Sequence, residues 1–156
     1  MTEKMVEYWN ERVAKGDVVY HLGDFFISWG KKSSKEIDGL LSRLNGNKFL
    51  IYGNHDRDEV KNSPLWTKVL GYHEVKVSGG DIQNQRITLS HYSMRTWNQM
   101  HRGSWMLHGH SHGSLLDIGG KTIDVGVDCH EYKPISFEQV GRIMLNRETT
   151  VVDHHE

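Results

Sequence analysis

Apolar residues fall into two kinds of run along this chain, and the alternation between them predicts its elements. Met5, Trp9 and Val13 recur at four-residue spacing with Val6 on the same flank, which marks one face of a helix. Thr2 is placed to cap that helix. Gly16 is placed to end it, since glycine tolerates the left-handed conformation at a helix C-terminus. Residues 18–22 form a short β-branched and aromatic run, read as a buried strand that stops at Gly23-Asp24. Ser33 and Glu36 fit a capping box, followed at helical spacing by Ile37, Leu40, Leu41 and Leu44, with Gly46 as the stop. Residues 48–52 then predict a second buried strand, running into Gly53-Asn54-His55-Asp56. Helix, strand, helix, strand in this order implies crossover units and a parallel pair.

The second half is patterned differently. Residues 74–77 and 86–90 read as two strands joined through Gly79-Gly80-Asp81, and residues 104–107 and 122–127 as two more. Ser136 and Gln139 make a second capping box, opening a helix that reaches Leu145. Neither an internal repeat nor a low-complexity linker interrupts the chain. The expectation is one α/β domain with mixed strands over residues 1–146, followed by a C-terminal tail, 147–156. A chain of 156 residues fits one such domain and can bury a real core.

Composition narrows the class. Hydrophobic residues make up 37% and charged residues 25%, the balance of a globular chain. A formal charge of −1 provides no basic footprint for non-specific nucleic-acid binding, so nucleic acid enters only as a substrate. No run approaches the ~18 apolar residues of a membrane-spanning helix. The single cysteine, Cys129, excludes an internal disulfide framework, and a cytoplasmic setting is expected. Eleven histidines stand out, several of them beside glycine at the ends of apolar runs.

Those positions carry the candidate chemistry. Predicted strands end in Gly23-Asp24, in Gly53-Asn54-His55-Asp56, in Ser90-His91 and in Gly109-His110-Ser111-His112. Ligands of α/β sheets gather at such strand ends, and glycine there allows a sharp turn and close backbone approach. One carboxylate, one carboxamide and three imidazoles suit first-row ions such as Mn, Fe, Zn or Co better than Ca or Mg. Paired ions of that kind clamp a phosphoryl group and activate a water for in-line attack.

Taken together, Tyr20-His21-Leu22-Gly23-Asp24, Gly53-Asn54-His55-Asp56, His108-Gly109-His110-Ser111-His112-Gly113, Asp124-Val125-Gly126-Val127-Asp128 and Tyr132-Lys133-Pro134-Ile135-Ser136 resemble the calcineurin-like metallophosphoesterases. The likeness is to the small bacterial and phage members. It implies a mixed-sheet two-layer sandwich with flanking helices. It also implies two divalent metal ions and hydrolysis of a phosphomonoester or phosphodiester by metal-activated water. Carried over residue by residue, Asp24 resembles the bridging carboxylate. Asn54, His91 and His110 resemble the other ligands of one ion, and His112 a ligand of the second. His55 resembles the catalytic histidine, with Asp56 expected to orient its imidazole.

One departure stands out. The family opens with a strand ending in Asp-x-His, and this N-terminal strand is missing from the region where it is expected. The second ion is left with Asp24 and His112, so one bound ion, or a non-catalytic binding module, is the alternative. A fragment, a shifted start and a natural truncation all account for the absence. An uncovered sheet edge would also favour oligomerisation. The lone Asp-x-His, within Asp153-His154-His155, is read as polar tail. His108 is read as structural, and Trp9 and Trp66 as core. Trp29, Trp97 and Trp105 lie near the motif loops, with core packing as the default, and Arg57 and Arg95 flank motifs as phosphate holders or surface charges.

Overall fold

The computed structural model describes residues 2–26 and 32–152. Trp29 and Asp153-His154-His155 therefore lie outside the described residues.

Among the described residues, seven strands form two sheets. In the first, β1 (Val18–His21), β2 (Asn47–Ile51) and β3 (Lys68–Leu70) run parallel in the order β1-β2-β3. The crossovers between them carry α2 (Ser34–Leu41) and the short α3 (Asp58–Lys61), while α1 (Thr2–Arg12) precedes β1. In the second sheet the order is β4-β5-β6-β7: β4 (His73–Gly79), β5 (Ile82–Leu89), β6 (Trp105–His108) and β7 (Thr122–Asp124). The β4–β5 hairpin is antiparallel, whereas β5, β6 and β7 are mutually parallel. A last helix, α4 (Phe137–Leu145), closes the described elements. The mixed α/β sandwich with flanking helices expected from the motifs is the architecture observed.

The alternation of side chains along β2 explains the layering. Leu50 points to the helices, into a core with Val6, Trp9, Ile37, Leu41 and Trp66. Its neighbour Ile51 points the other way, into a core shared with Leu22, Ile87, Leu89, Leu107 and Met144. The first sheet is thus covered by helices on one face and by the second sheet on the other. Trp9 also donates Nε1–H to the Asn45 carbonyl at 2.9 Å, tying α1 to the turn that feeds β2. Both capping boxes form: Ser33 with Glu36, and Ser136 with Gln139.

Two short elements, α3 and β3, escaped the sequence reading, as did the 3-10 turns Met100–Arg102 and Val127–Cys129, the second of which follows a β7 that stops at Asp124 rather than at residue 127. α3 is one turn long, and β3 is three residues of a segment without periodicity. β5 also begins at Ile82, four positions before the expected start; Ile82 pairs with Gly79, and the register shifts across the exposed Gln83 and Asn84 before the regular pairing begins at Gln85. Beyond α4, the first residue of the expected tail is anchored. The Arg147 guanidinium pairs with Asp117 and donates to the Gly120 carbonyl at 3.2 Å.

Candidate metal centre

Parallel pairing decides where the motif loops go. Val18 to His21 of β1 pair with Asn47 to Leu50 of β2, so both strands end at the same edge. The loops that follow bring Asp24 and Asn54 side by side. In the second sheet Leu89 pairs with Leu107 and His108 with Asp124, so His91, His110 and the start of the 124–130 loop emerge together. The two sheets face each other, and four strand ends meet at one place.

The approach is close enough to require glycine. A methyl group at Gly23 would fall 2.6 Å from the Gly53 nitrogen, and one at Gly53 would fall 2.6 Å from His91 Cε1 and collide with Asp24 Oδ1. Asp24, His110 and His112 themselves take φ values of 55°, 64° and 48°, the left-handed region that Asp and His enter more readily than most residues. Such backbone costs of order 1–3 kcal/mol per residue.

At the centre, Asp24, His91 and His110 each offer a ligand atom, and these atoms lie within 4.8 Å of one another. His91 is buried, and its Nδ1 lies 2.7 Å from the Leu22 carbonyl oxygen. A carbonyl can only accept, so in the neutral ring the proton sits on Nδ1 and Nε2 presents a lone pair. That lone pair faces Asn54 Oδ1 at 2.9 Å, His110 Nδ1 at 3.2 Å and Asp24 Oδ2 at 3.4 Å. Turning the Asn54 amide, or placing a proton on His110 Nδ1, would relieve one of these encounters. The Asp24 oxygen would still face His91 Nε2 without a proton between them. A cation among these atoms satisfies all of them together, and a histidine held by a carbonyl at its far nitrogen is the usual form of a metal-ligating imidazole. The donor set present therefore fits a divalent ion.

The surrounding residues hold these groups in place. The His55 main-chain N–H donates to Asp24 Oδ1 at 2.9 Å, leaving Oδ2 turned toward the centre. The His55 side chain is exposed at the same edge. Asp56 does something other than expected. Its buried carboxylate accepts from the main-chain N–H groups of Asp24 at 2.7 Å, Gly53 at 2.8 Å and Phe25 at 2.9 Å. Its contacts are with the backbone of the two ligand loops, rather than with the His55 imidazole. The reason lies in those loops, whose turns leave three N–H groups inward with no strand to pair with.

His112 is not drawn into the cluster. It is exposed, lines the same cleft as Asp24 and His110, and pairs through Nδ1 with Asp128 at 2.5 Å. The cleft has a volume of about 630 Å³, bounded by β1, by Tyr8 and Trp9 of α1, and by the 124–128 segment. Tyr92, outside every motif, packs edge-on against both His91 and His110, with ring centroids 4.9 and 4.6 Å away. His21 stays apart from the centre, among the rings of Trp9, Phe25 and Trp66. Burial pushes its pKa down, against a smaller upward pull from Asp56 and Asp24, and its Nδ1 is buried without a hydrogen-bond partner among the described residues. His108 is buried in β6, with its Nδ1 3.1 Å from the Gly109 carbonyl oxygen.

The chain is 30% identical to MJ1445, an uncharacterized protein of Methanocaldococcus jannaschii, over 92% of its own length and 75% of the relative's. It is 32% identical to the Gene 66 protein of Mycobacterium phage D29, over 84% of this chain and 77% of that one. Among solved structures, AQ665 of Aquifex aeolicus, a protein of unknown function, superposes with a TM-score of 0.66 at 23% identity, covering 91% of this chain and 84% of the other. The family model of the calcineurin-like phosphoesterases matches residues 2–114, which include every ligand candidate described above. With that match over most of its length, the chain belongs to the calcineurin-like phosphoesterase family.

Proposed function

We propose that this chain hydrolyses phosphate esters, monoester or diester, with a divalent metal ion held by Asp24, Asn54, His91 and His110. One observation carries the reading: Asp24 Oδ2, Asn54 Oδ1, His91 Nε2 and His110 Nδ1, from four strand ends, converge on one point, and with His91 neutral the Asp24 and His91 atoms face each other as two acceptors. The oxygen–nitrogen donor set points to Mn, Fe, Zn or Co, with manganese as the first choice for reconstitution. Asp24 and His112 are this chain's contribution to a second ion in the same cleft. A divalent ion supplies Lewis-acid polarisation of a phosphoryl oxygen and lowers the pKa of water.

The protein's own groups do the positioning. Leu22 fixes the His91 ring, the His55 N–H fixes the Asp24 carboxylate, and Asp56 fixes both loops from beneath. The exposed His55 imidazole is placed to hold a phosphate oxygen or to pass a proton to the leaving group. The substrate is a phosphate ester that reaches an open cleft. A cytoplasmic setting goes with this reading. Among the described residues no helix is long and apolar enough to cross a membrane.

The test compares wild type, Asp24→Ala and His55→Ala after manganese loading. Metal content is measured together with hydrolysis of an aryl and an alkyl phosphate ester. Asp24→Ala is expected to lose both metal and turnover. His55→Ala is expected to keep its metal and lose about 10²–10⁴-fold in turnover, most of all on the alkyl ester. Full activity of His55→Ala on the alkyl ester would remove the role given to that histidine. A wild-type protein that takes up no metal would leave a non-catalytic module.

A further inference from the structure

Asp128 has no part in the ligand set above, yet its carboxylate makes the closest polar contact to His112. We propose that Asp128 is a positioning residue: it holds the His112 proton on Nδ1 and so presents the Nε2 lone pair to the cleft as a ligand for a divalent cation. The assignment rests on the metal-dependent reading of the site for the cation, though not for the tautomer.

Three observations support it. Asp128 Oδ2 lies 2.5 Å from His112 Nδ1, and an ionised carboxylate can only accept, so the bond requires the proton on Nδ1. His91 has the same arrangement, with Nδ1 spent on the Leu22 carbonyl and Nε2 left among the acceptors of the centre. Both imidazoles are therefore tied through Nδ1, which leaves Nε2 as the nitrogen with a lone pair to offer. Next, the segment carrying Asp128 is stitched to the segment carrying His112. Asp124 Oδ2 accepts from the Gly113 N–H at 3.0 Å, and Asp124 Oδ1 accepts from the Gly126 N–H at 2.8 Å. His130 Nε2 reaches the Asp124 carbonyl at 2.9 Å. Asp128 sits in the 3-10 turn Val127–Cys129, so its distance from His112 is set by backbone on both sides.

Exposure supplies the last observation. The two side chains are 60% and 31% accessible, and ion pairs this wet add little to stability. His112 is nevertheless held in a left-handed backbone conformation with its ring on Asp128. Orientation accounts for the contact where stabilisation does not. Carboxylate or carbonyl partners on the far nitrogen of a ligand histidine are the usual means of fixing its tautomer.

The experiment uses the full chain with ¹⁵N-labelled histidine, as wild type, Asp128→Asn and Asp128→Ala. Side-chain nitrogen shifts are read first without metal and then through a zinc titration. His112 is expected in the Nδ1–H form in wild type and in Asp128→Asn, whose amide oxygen still accepts. Asp128→Ala is expected to drift toward the Nε2–H form preferred by free imidazole. Zinc should shift His112 Nε2 in wild type, at concentrations about 10–100-fold lower than in Asp128→Ala, while the His91 and His110 response stays unchanged. The proposal is overturned if wild-type His112 is already Nε2–H, if Asp128→Ala leaves its tautomer and zinc response as they were, or if zinc never reaches it. A positive result in a protein that hydrolyses no phosphate ester would sink the proposed activity and leave Asp128 in this role.

Discussion

Replacing Asp56 by Asn separates a structural duty from a chemical one. The carboxylate receives three main-chain N–H groups in a buried setting, two on Oδ2 and one on Oδ1. An asparagine there keeps one oxygen. Placed on the Oδ2 side, it retains the Gly53 and Asp24 bonds but without charge assistance, a loss of about 1 kcal/mol each. Its amide group then meets the Phe25 N–H donor to donor, which adds about 1–3 kcal/mol for the unsatisfied group. The sum is about 3–5 kcal/mol, a large fraction of the roughly 5–15 kcal/mol that holds a domain together. For a chain of this size that corresponds to a fall in Tm of about 6–20 °C. Manganese affinity should fall with it, because Asp24 enters its left-handed turn on the N–H that Asp56 holds. Thermal unfolding followed by circular dichroism, with and without manganese, measures both. If Asp56 instead served the His55 imidazole, Asn would leave Tm within about 2 °C of wild type and change only turnover and its pH profile. That result would refute the reasoning.

Two further outcomes are expected. Gly53→Ala should lower manganese affinity more than tenfold, since the new methyl group meets Asp24 Oδ1 and displaces His91; an unchanged titration isotherm would show that the loops can give way. His21 governs part of the acid response. Burial holds its pKa below the ordinary value of 6.5, so the unfolded chain takes up the proton first. Its contribution to stability is intact above about pH 6.5 and is lost as pH falls from there toward the folded-state pKa. His21→Phe, which removes an unpartnered buried nitrogen, should flatten the Tm–pH curve between pH 6.5 and 5. Parallel curves for the two proteins would exclude this role.

The helices and the buried strands were legible because each has a strong local signature: four-residue spacing with a capping box, or a dense β-branched run. β3 and α3 had none, since three residues on a sheet edge and a single helical turn are set by what they pack against. In the site, Asp24, His91 and His110 were legible as polar residues following glycine or serine at strand ends. Asp56 was found, but its partner was not. A carboxylate two positions after Asn54 and next to His55 looks like a histidine's companion in sequence, and only the turn geometry shows three inward N–H groups claiming it. Asp128 was visible within Asp-Val-Gly-Val-Asp but had no role until the 124–130 loop was seen folded against Gly113. The Leu22 carbonyl, which sets the His91 tautomer, leaves no trace in sequence because any residue provides one.

Asp24 and Asn54 hang from the first sheet, and His91 and His110 from the second. No short stretch of chain contains the set, so a nascent or unfolded chain has nothing with which to grasp an ion firmly. Capture of an ion by this set would follow the docking of the two sheets. An ion bound there would do little to hasten folding. It would act on the reverse step, slowing escape from the native state, because the sheets could not part without first releasing it.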